Sequence, residues 1–332
     1  MRLVALLATA AVLAGCAGLR DEPPEYRNPL LHSEFADPAV LRAPDGTFYA
    51  YATQGAPAGR MLNIQVARSK DLVRWEHRGD ALPDKPAWGA GKQWFWAPHV
   101  LYDAQLRTYF MYYSAEPDGH RGKCLAVATA AHPEGPFVDS GRPLQCGGGI
   151  EHIDPMAFDD PATGRRLLYW GSGGMPIRVQ ELAPDRLRFA EGSAPTALVH
   201  AGPRAYRRLV EAAWVSYRDG WYYLFYSGDR CCTVPARYAV MVARSRAALG
   251  PFEDREAAIL EASDAWHAPG HCAVVDDDAG TAWMLYHAMD ANRTDRARLL
   301  LMDSVHWRDG WPQITGPSTS ARAPRAGPTR LP

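Results

Sequence analysis

Three carboxylates stand at the same point of a repeated unit: Asp37 in Ala-Asp-Pro-Ala-Val, Asp154 in Ile-Asp-Pro-Met-Ala-Phe, and Glu211 in Val-Glu-Ala-Ala-Trp-Val. Each opens a short apolar run that leads through a turn into an aromatic run. A carboxylate at the head of a buried strand is costly unless it is paired or used. A lone Asp-Pro caps a turn, but three carboxylates in one register imply that several first strands aim at one point. Such a set suits acid/base chemistry. An inverting hydrolysis of a glycosidic bond needs one ionised carboxylate to activate water and one protonated carboxyl to serve the leaving oxygen. A third carboxylate can hold that proton in place, since like charges disfavour joint ionisation.

The elements that position these groups follow from the repeat. Short apolar runs align at positions 37, 97, 154, 212 and 271, a spacing of about 58 residues. Each is followed by a turn and an aromatic run, as in Asp45-Gly46 before Phe48-Tyr49-Ala50-Tyr51 and Asp219-Gly220 before Trp221 to Tyr226. A third run follows (Ile64 to Ala67, Leu125 to Ala128, Ile177 to Val179, Val240 to Val242, Leu299 to Leu301), then an outer element expected to carry Trp75, Phe137, Phe189, Phe252 or Trp307. Four strands in each of five units predict an all-β, five-bladed β-propeller with four antiparallel strands per blade. The first strands line its axis, and the five hub positions carry Asp37, Trp96, Asp154, Glu211 and His271.

The remaining composition sets the context. The chain has 332 residues, net charge −1, 27 Pro and 29 Gly. No basic stripe is present, so nucleic acid is not an expected partner. Eleven Trp and fifteen Tyr serve the core or act as platforms for sugar rings. Leu3 to Ala14 is an apolar run after Arg2, ending in Leu13-Ala14-Gly15-Cys16, which is similar to a bacterial lipobox. Residues 1–15 are read as a lipoprotein signal peptide, with a lipid anchor on Cys16. Ala17, rather than Asp, then favours the outer membrane. Residues 16–31 are expected to be a tether, 32–315 the catalytic domain and 316–332 a disordered tail. The chain is expected to be a monomer. Five cysteines remain after Cys16. Cys124 and Cys146 flank one strand pair at a spacing compatible with a bridge, and the odd total leaves one thiol free or a pairing left open.

The motif run Phe35-Ala36-Asp37-Pro38-Ala39-Val40, Trp96-Ala97-Pro98-His99-Val100, Ile153-Asp154-Pro155, Val210-Glu211-Ala212-Ala213, Tyr222 to Ser227 and Gly250-Pro251-Phe252 resembles glycoside hydrolase family 43, across residues 28 to 315 or so. The resemblance implies Asp37 as general base, Glu211 as general acid and Asp154 as the residue that tunes Glu211. It also implies inversion, with base and acid roughly 6.5–9.5 Å apart. The endo-α-1,5-L-arabinanase branch looks nearest. Cys231-Cys232 resembles that branch's paired cysteines, and Pro269-Gly270-His271 its central histidine beside an ion, often calcium. Trp96, Ser172, Cys231 and Cys232 are the candidate substrate contacts and His271 the candidate metal contact. No cofactor is expected for the chemistry itself. The alternatives are an exo-acting β-xylosidase or α-L-arabinofuranosidase, or a glycan-binding propeller without catalysis. The chain departs from the family pattern at Ala36, His99 and Ala213. None of these removes a catalytic carboxylate, but all lie near the site and bear on which sugar is held.

Overall fold

The computed structural model describes residues 25–322 except Val234. The expected signal peptide, Cys16 and the last ten residues lie outside the described residues. Five sheets follow one another along the chain, each meandering outward from a first, innermost strand. Blade one comprises Ala39–Arg42, Phe48–Ala52, Gln65–Ser69 and Glu76–Asp80. Blade two comprises Trp96–Asp103, Thr108–Ala115 and Cys124–Ala130, with an outer edge in two pieces, Val138–Asp139 and Gln145–Cys146. Blade three runs through Met156–Asp159, Arg166–Trp170, Ile177–Glu181 and Thr196–Val199. Blade four runs through Val210–Arg218, Trp221–Arg230, Arg237–Ser245 and Glu253–Asp254. Blade five runs through Trp266–Asp276, Ala282–Asp290, Arg298–Arg308 and Trp311–Ile314. All pairings are antiparallel, so the protein is a five-bladed β-propeller.

The second strands are apolar without alternation because blades stack face to face and cover both sides. Phe48–Ala52 is buried at every residue, and Tyr109 to Ala115 likewise. This is the pattern of strands covered on both faces rather than one. Asp219-Gly220 closes its hairpin with both residues at positive φ, 51° and 76°, the conformation of a type I′ turn. The outer aromatics flank the fourth strands rather than sit in them. Phe137 and Phe252 immediately precede short outer strands, and Phe189 pairs with Leu182 before the fourth strand begins. Trp307 belongs to the third strand of blade five, and Trp311 opens the fourth. Cys124 and Cys146 face one another across the edge of blade two and are bonded; Cys231 is bonded to Cys232, and Cys272 is free and buried.

The expected boundaries at residues 31 and 316 fall inside the fold. Glu25–Arg27 pairs with Ser320–Arg322 in a two-stranded ribbon. Leu30 N–H donates to Leu300 O at 2.7 Å, and Phe35 N–H to Arg298 O at 2.8 Å. The Asn28 amide mimics a strand neighbour: its nitrogen donates to Met302 O and its oxygen accepts from Met302 N–H, both at 3.0 Å. These short segments carry no apolar run, because the ribbon strands pair with each other and Asn28, Leu30 and Phe35 bind backbone groups of blade five. The ring is closed by them. Asn28→Ala strands the buried Met302 N–H and leaves Met302 O to the Tyr26 hydroxyl alone, which costs about 1–3 kcal/mol. The thermal midpoint should therefore fall by several degrees in a calorimetric scan, with activity at low temperature kept.

Candidate active site

The five first strands share an unusual beginning. Asp37, Ala97, Asp154, Ala212 and His271 all have positive φ, between 46° and 59°. Non-glycine residues adopt this region at a cost of about 1–2 kcal/mol, and persist there only when their surroundings dictate it. The surroundings are hydrogen bonds from the blade before. Thr53 Oγ1, at the end of the second strand of blade one, accepts the Ala97 N–H at 3.0 Å. Ser114 Oγ accepts the Asp154 N–H at 3.2 Å, and Ser227 Oγ the His271 N–H at 2.8 Å. His287 Nδ1, in blade five, accepts the Asp37 N–H at 3.1 Å. The ring of four is interrupted once. Ser172 holds the same place in blade three, yet it donates to Glu211 Oε2 at 2.6 Å, while the Ala212 N–H goes to Asp154 Oδ2 at 2.9 Å. Register shifts follow at Trp96/His99 and Glu211/Trp214. Such bulges re-aim side chains, and here they accompany Trp96 and Glu211, each one residue ahead of its head.

Asp37 is held ionised. Burial by itself would raise its carboxyl, but the charges of Arg298 and His271 and the hydrogen bond from His271 outweigh it, and Asp37 sits well below the usual carboxylate range. Arg298 Nη1 lies 2.9 Å from Oδ1, His271 Nδ1 at 3.3 Å, and Thr53 Oγ1 donates to Oδ2 at 2.5 Å. Thr53 thus holds the Asp37 carboxylate and the Ala97 backbone together. Glu211 and Asp154 behave oppositely. Both are buried, 8% and 6% exposed, and burial is the first cause that pushes both carboxyls up. Asp37 pushes both further, and Glu211 adds to the rise of Asp154. Hydrogen bonds from Ser172 and Tyr238 temper the rise at Glu211, the second to Oε1 at 2.8 Å. The two carboxyls titrate as a pair and take up a proton more readily than ordinary carboxyls. His271 is raised: burial would lower it, but the carboxylates of Asp154 and Asp37 prevail. One carboxylate that keeps its charge faces two that favour a proton, the division that acid/base catalysis requires.

Tyr238 and Arg298 escaped the sequence reading because each reaches the hub across blades. Tyr238 touches Glu211 and lies parallel to His287, with centroids 5.8 Å apart; it therefore ties the residue that holds Asp37 to the one that holds Glu211. Gly270 makes room for it, since a Cβ there would lie 2.1 Å from the Tyr238 ring. The hub hydroxyls did leave a signal, in the recurring Tyr51-Ala52-Thr53, Tyr113-Ser114, Tyr226-Ser227 and Tyr286-His287. His99 is pushed down to about 3 by burial, so it stays neutral and accepts the Ala157 N–H at 3.3 Å.

The candidate contacts separate. Trp96 is partly exposed, with Lys123 Nζ 3.8 Å from its ring centre and Trp94 edge-on at 6.4 Å. Cys232 Sγ lies 3.6 Å from Arg298 Nη1, which places the cysteine pair next to the residues around Asp37. Ser172 is fully buried beneath Glu211 and does not face the open side. Its register marks the hub, but its hydroxyl is spent on the carboxyl, so it positions Glu211 and has no surface for sugar. The metal expected at His271 finds no donor set. Among the described residues no group of His, Cys, Asp and Glu is arranged to hold a cation. His271 Nδ1 is committed to Asp37. His287 accepts at Nδ1, so its buried, unpartnered Nε2 carries the proton and offers a donor. Calcium prefers oxygen ligands, and the oxygens beside His271, those of Asp37, are engaged by Arg298 and Thr53, so the donor set does not support it.

The ring and its hub together define a propeller glycosidase. Residues 26–312 match the model of Glycosyl hydrolases family 43, and the chain belongs to that family. It is 30% identical over 297 residues to arabinan endo-1,5-alpha-L-arabinosidase C of Emericella nidulans, covering 82% of this chain and 89% of that one. It is 27% identical over 330 residues to extracellular endo-alpha-(1->5)-L-arabinanase 1 of Bacillus subtilis, covering 92% and 95%. Among solved structures, a thermostable family-43 glycoside hydrolase superposes with a TM-score of 0.77 at 26% identity, over 91% of this chain and all of that one. The fold alone also matches Cellvibrio cellulosa alpha-L-arabinanase complexed with arabinohexaose, with a TM-score of 0.72 at 21% identity, over 85% and 95%.

Tyr238→Phe removes a donor that favours ionised Glu211, so the Glu211 carboxyl should rise further. If Glu211 must be protonated to act, the alkaline limb of kcat/KM moves to higher pH, and kcat falls roughly tenfold as the carboxyl loses its anchor. A pH–rate profile reads both; an unmoved limb would show that Tyr238 only packs.

Proposed function

We propose that this protein is an inverting hydrolase that cuts internal α-L-arabinofuranosidic linkages of arabinan. The observation that carries the mechanism is the split between Asp37, held ionised, and the proton-favouring pair Glu211 and Asp154. The named activities of the relatives in Emericella nidulans and Bacillus subtilis support the choice of polymer. Asp37 takes a proton from water as the water oxygen attacks the anomeric carbon. Glu211 gives its proton to the departing glycosidic oxygen as the carbon–oxygen bond breaks. Asp154 competes with Glu211 for that proton, so that the pair keeps one at hand, and it orients Glu211 by fixing the adjacent Ala212 N–H. Trp96 and the Cys231–Cys232 pair supply apolar surface for the sugar.

Asp37→Asn and Glu211→Gln should each lower kcat on arabinan on the order of a thousandfold. Proton NMR during the first turnovers should show the released sugar with inverted anomeric configuration, and product sizing a ladder of oligomers. Retention, or wild-type rates in both variants, would remove the mechanism; release of single sugars from the first turnover would favour the exo-acting alternative.

We also propose that the enzyme is a lipoprotein of the outer membrane, a reading supported by Leu13-Ala14-Gly15-Cys16 followed by Ala17. Radiolabelled palmitate should enter the wild-type protein and not Cys16→Ser, which should leave the membrane fraction. Equal labelling of the two would end this reading.

A further inference from the structure

At the mouth of the hub a tryptophan is held in place without being packed. Trp96 opens the first strand of blade two, immediately before Ala97, and Trp94 lies just ahead of it. Trp94 is 59% exposed and has a φ of 72°. A bulky residue seldom takes that left-handed backbone, and a ring left in water returns little for it. Neither Trp94 nor Trp96 belongs to the clusters that make the core.

Two side chains fix this backbone. The Trp94 N–H donates to Gln54 Oε1 at 2.5 Å, and its carbonyl accepts from Lys123 Nζ at 2.6 Å. Gln54 follows Thr53, which holds both Asp37 and the Ala97 N–H, so Trp94 shares the frame of the catalytic base. Lys123 is 4% exposed and makes no ion pair among the described residues. A buried ammonium without a carboxylate is costly. This one is spent on the Trp94 carbonyl and on the Trp96 ring, whose centre lies 3.8 Å from Nζ.

The angle between the rings limits what can lie on them. The ammonium covers one face of Trp96 and leaves the other. Trp94 stands edge-on to Trp96, with centres 6.4 Å apart and planes at 68°. Aromatic faces suit the C–H faces of sugar rings, so a chain laid over both must turn between them. In a 1,5-linked furanose chain the exocyclic methylene lies in the backbone and adds a rotatable bond to every linkage, so successive rings tilt readily. A 1,4-linked pyranose chain lacks that bond and runs straighter.

We propose that Trp94 is a second sugar platform, and that it forms with Trp96 an angled subsite that selects a 1,5-linked furanose chain over a straight one. The proposal rests on the arabinan reading above. Gln54 and Lys123 are positioning residues that act through the tryptophans.

The test measures binding by calorimetry in the Glu211→Gln background, so that the ligands stay whole. Trp94→Gly removes the ring and keeps the left-handed backbone without strain; Trp94→Tyr restores a ring. The ligands are arabinotriose, arabinohexaose and xylohexaose. Trp94→Gly should raise Kd for arabinohexaose about three- to tenfold and that for arabinotriose clearly less, and Trp94→Tyr should recover most of the loss. The parent should bind xylohexaose more weakly than arabinohexaose, and Trp94→Gly should narrow that gap. Should Trp94→Gly fail to fold, Trp94→Asn, which also tolerates this backbone, takes its place. A parent that binds arabinohexaose with a Kd unmoved by Trp94→Gly, or that loses the triose equally, would overturn the proposal and leave the arabinan reading intact. A parent that binds xylohexaose and not arabinohexaose would overturn the arabinan reading, and the selective subsite with it.

Discussion

The structure depends on one recurrent bond: a side chain at the end of a second strand catches the backbone N–H that begins the next blade. Thr53, Ser114, Ser227 and His287 each do this. The bond holds four non-glycine residues in a left-handed conformation that they would otherwise leave, and the Asp154 carboxylate holds the fifth, Ala212. Because that conformation turns the chain sharply, the residue at or before each head is directed to the axis. Stacked blades alone would make a ring; the caught N–H groups make the ring converge.

The same bonds set the electrostatics. Thr53 serves the Asp37 carboxylate and the next backbone at once, and His287 can hold the Asp37 N–H only as a neutral ring; burial, which pushes it down to about 4, keeps it so. At blade three the pattern is deliberately unequal. Ser172 turns to Glu211, and Asp154 takes over the vacated N–H. A carboxylate oxygen engaged with backbone and a second carboxyl engaged by two hydroxyls end up buried together, so they compete for protons. Arg298 and His271 are turned to Asp37 instead. Three chemically similar groups thus acquire different charges from their neighbours alone.

Much of this was legible because a repeat converts spacing into geometry. The five positive-φ residues are the five positions at which the sequence repeats align, and the carboxylates at or beside three of them marked the hub. What was illegible follows from the same logic. Asn28 and the ribbon strands bind backbone, which has no sequence signature, so the domain edges were placed too far inward. Ser172 was located by register, but whether a hydroxyl points to solvent or to a buried carboxyl depends on the neighbouring blade. Arg298 and Tyr238 lie in third strands of blades five and four, far along the chain from Asp37 and without any motif around them. His99 stood out only as a departure from the family pattern. Buried and neutral, it supplies the acceptor that the Ala157 N–H needs.

The ribbon that joins Glu25–Arg27 to Ser320–Arg322 has a mechanical meaning. Both ends of the domain leave the ring at one seam, so any pull on the chain ahead of residue 25 loads that seam before it loads a blade. Behind the ribbon, in order, stand the Asn28 amide, the Leu30 bond to Leu300, and the Phe35 bond to Arg298. Arg298 is also the cation that keeps Asp37 ionised. Tension from outside would therefore peel toward the catalytic base, and the short ribbon serves as the fuse that yields first.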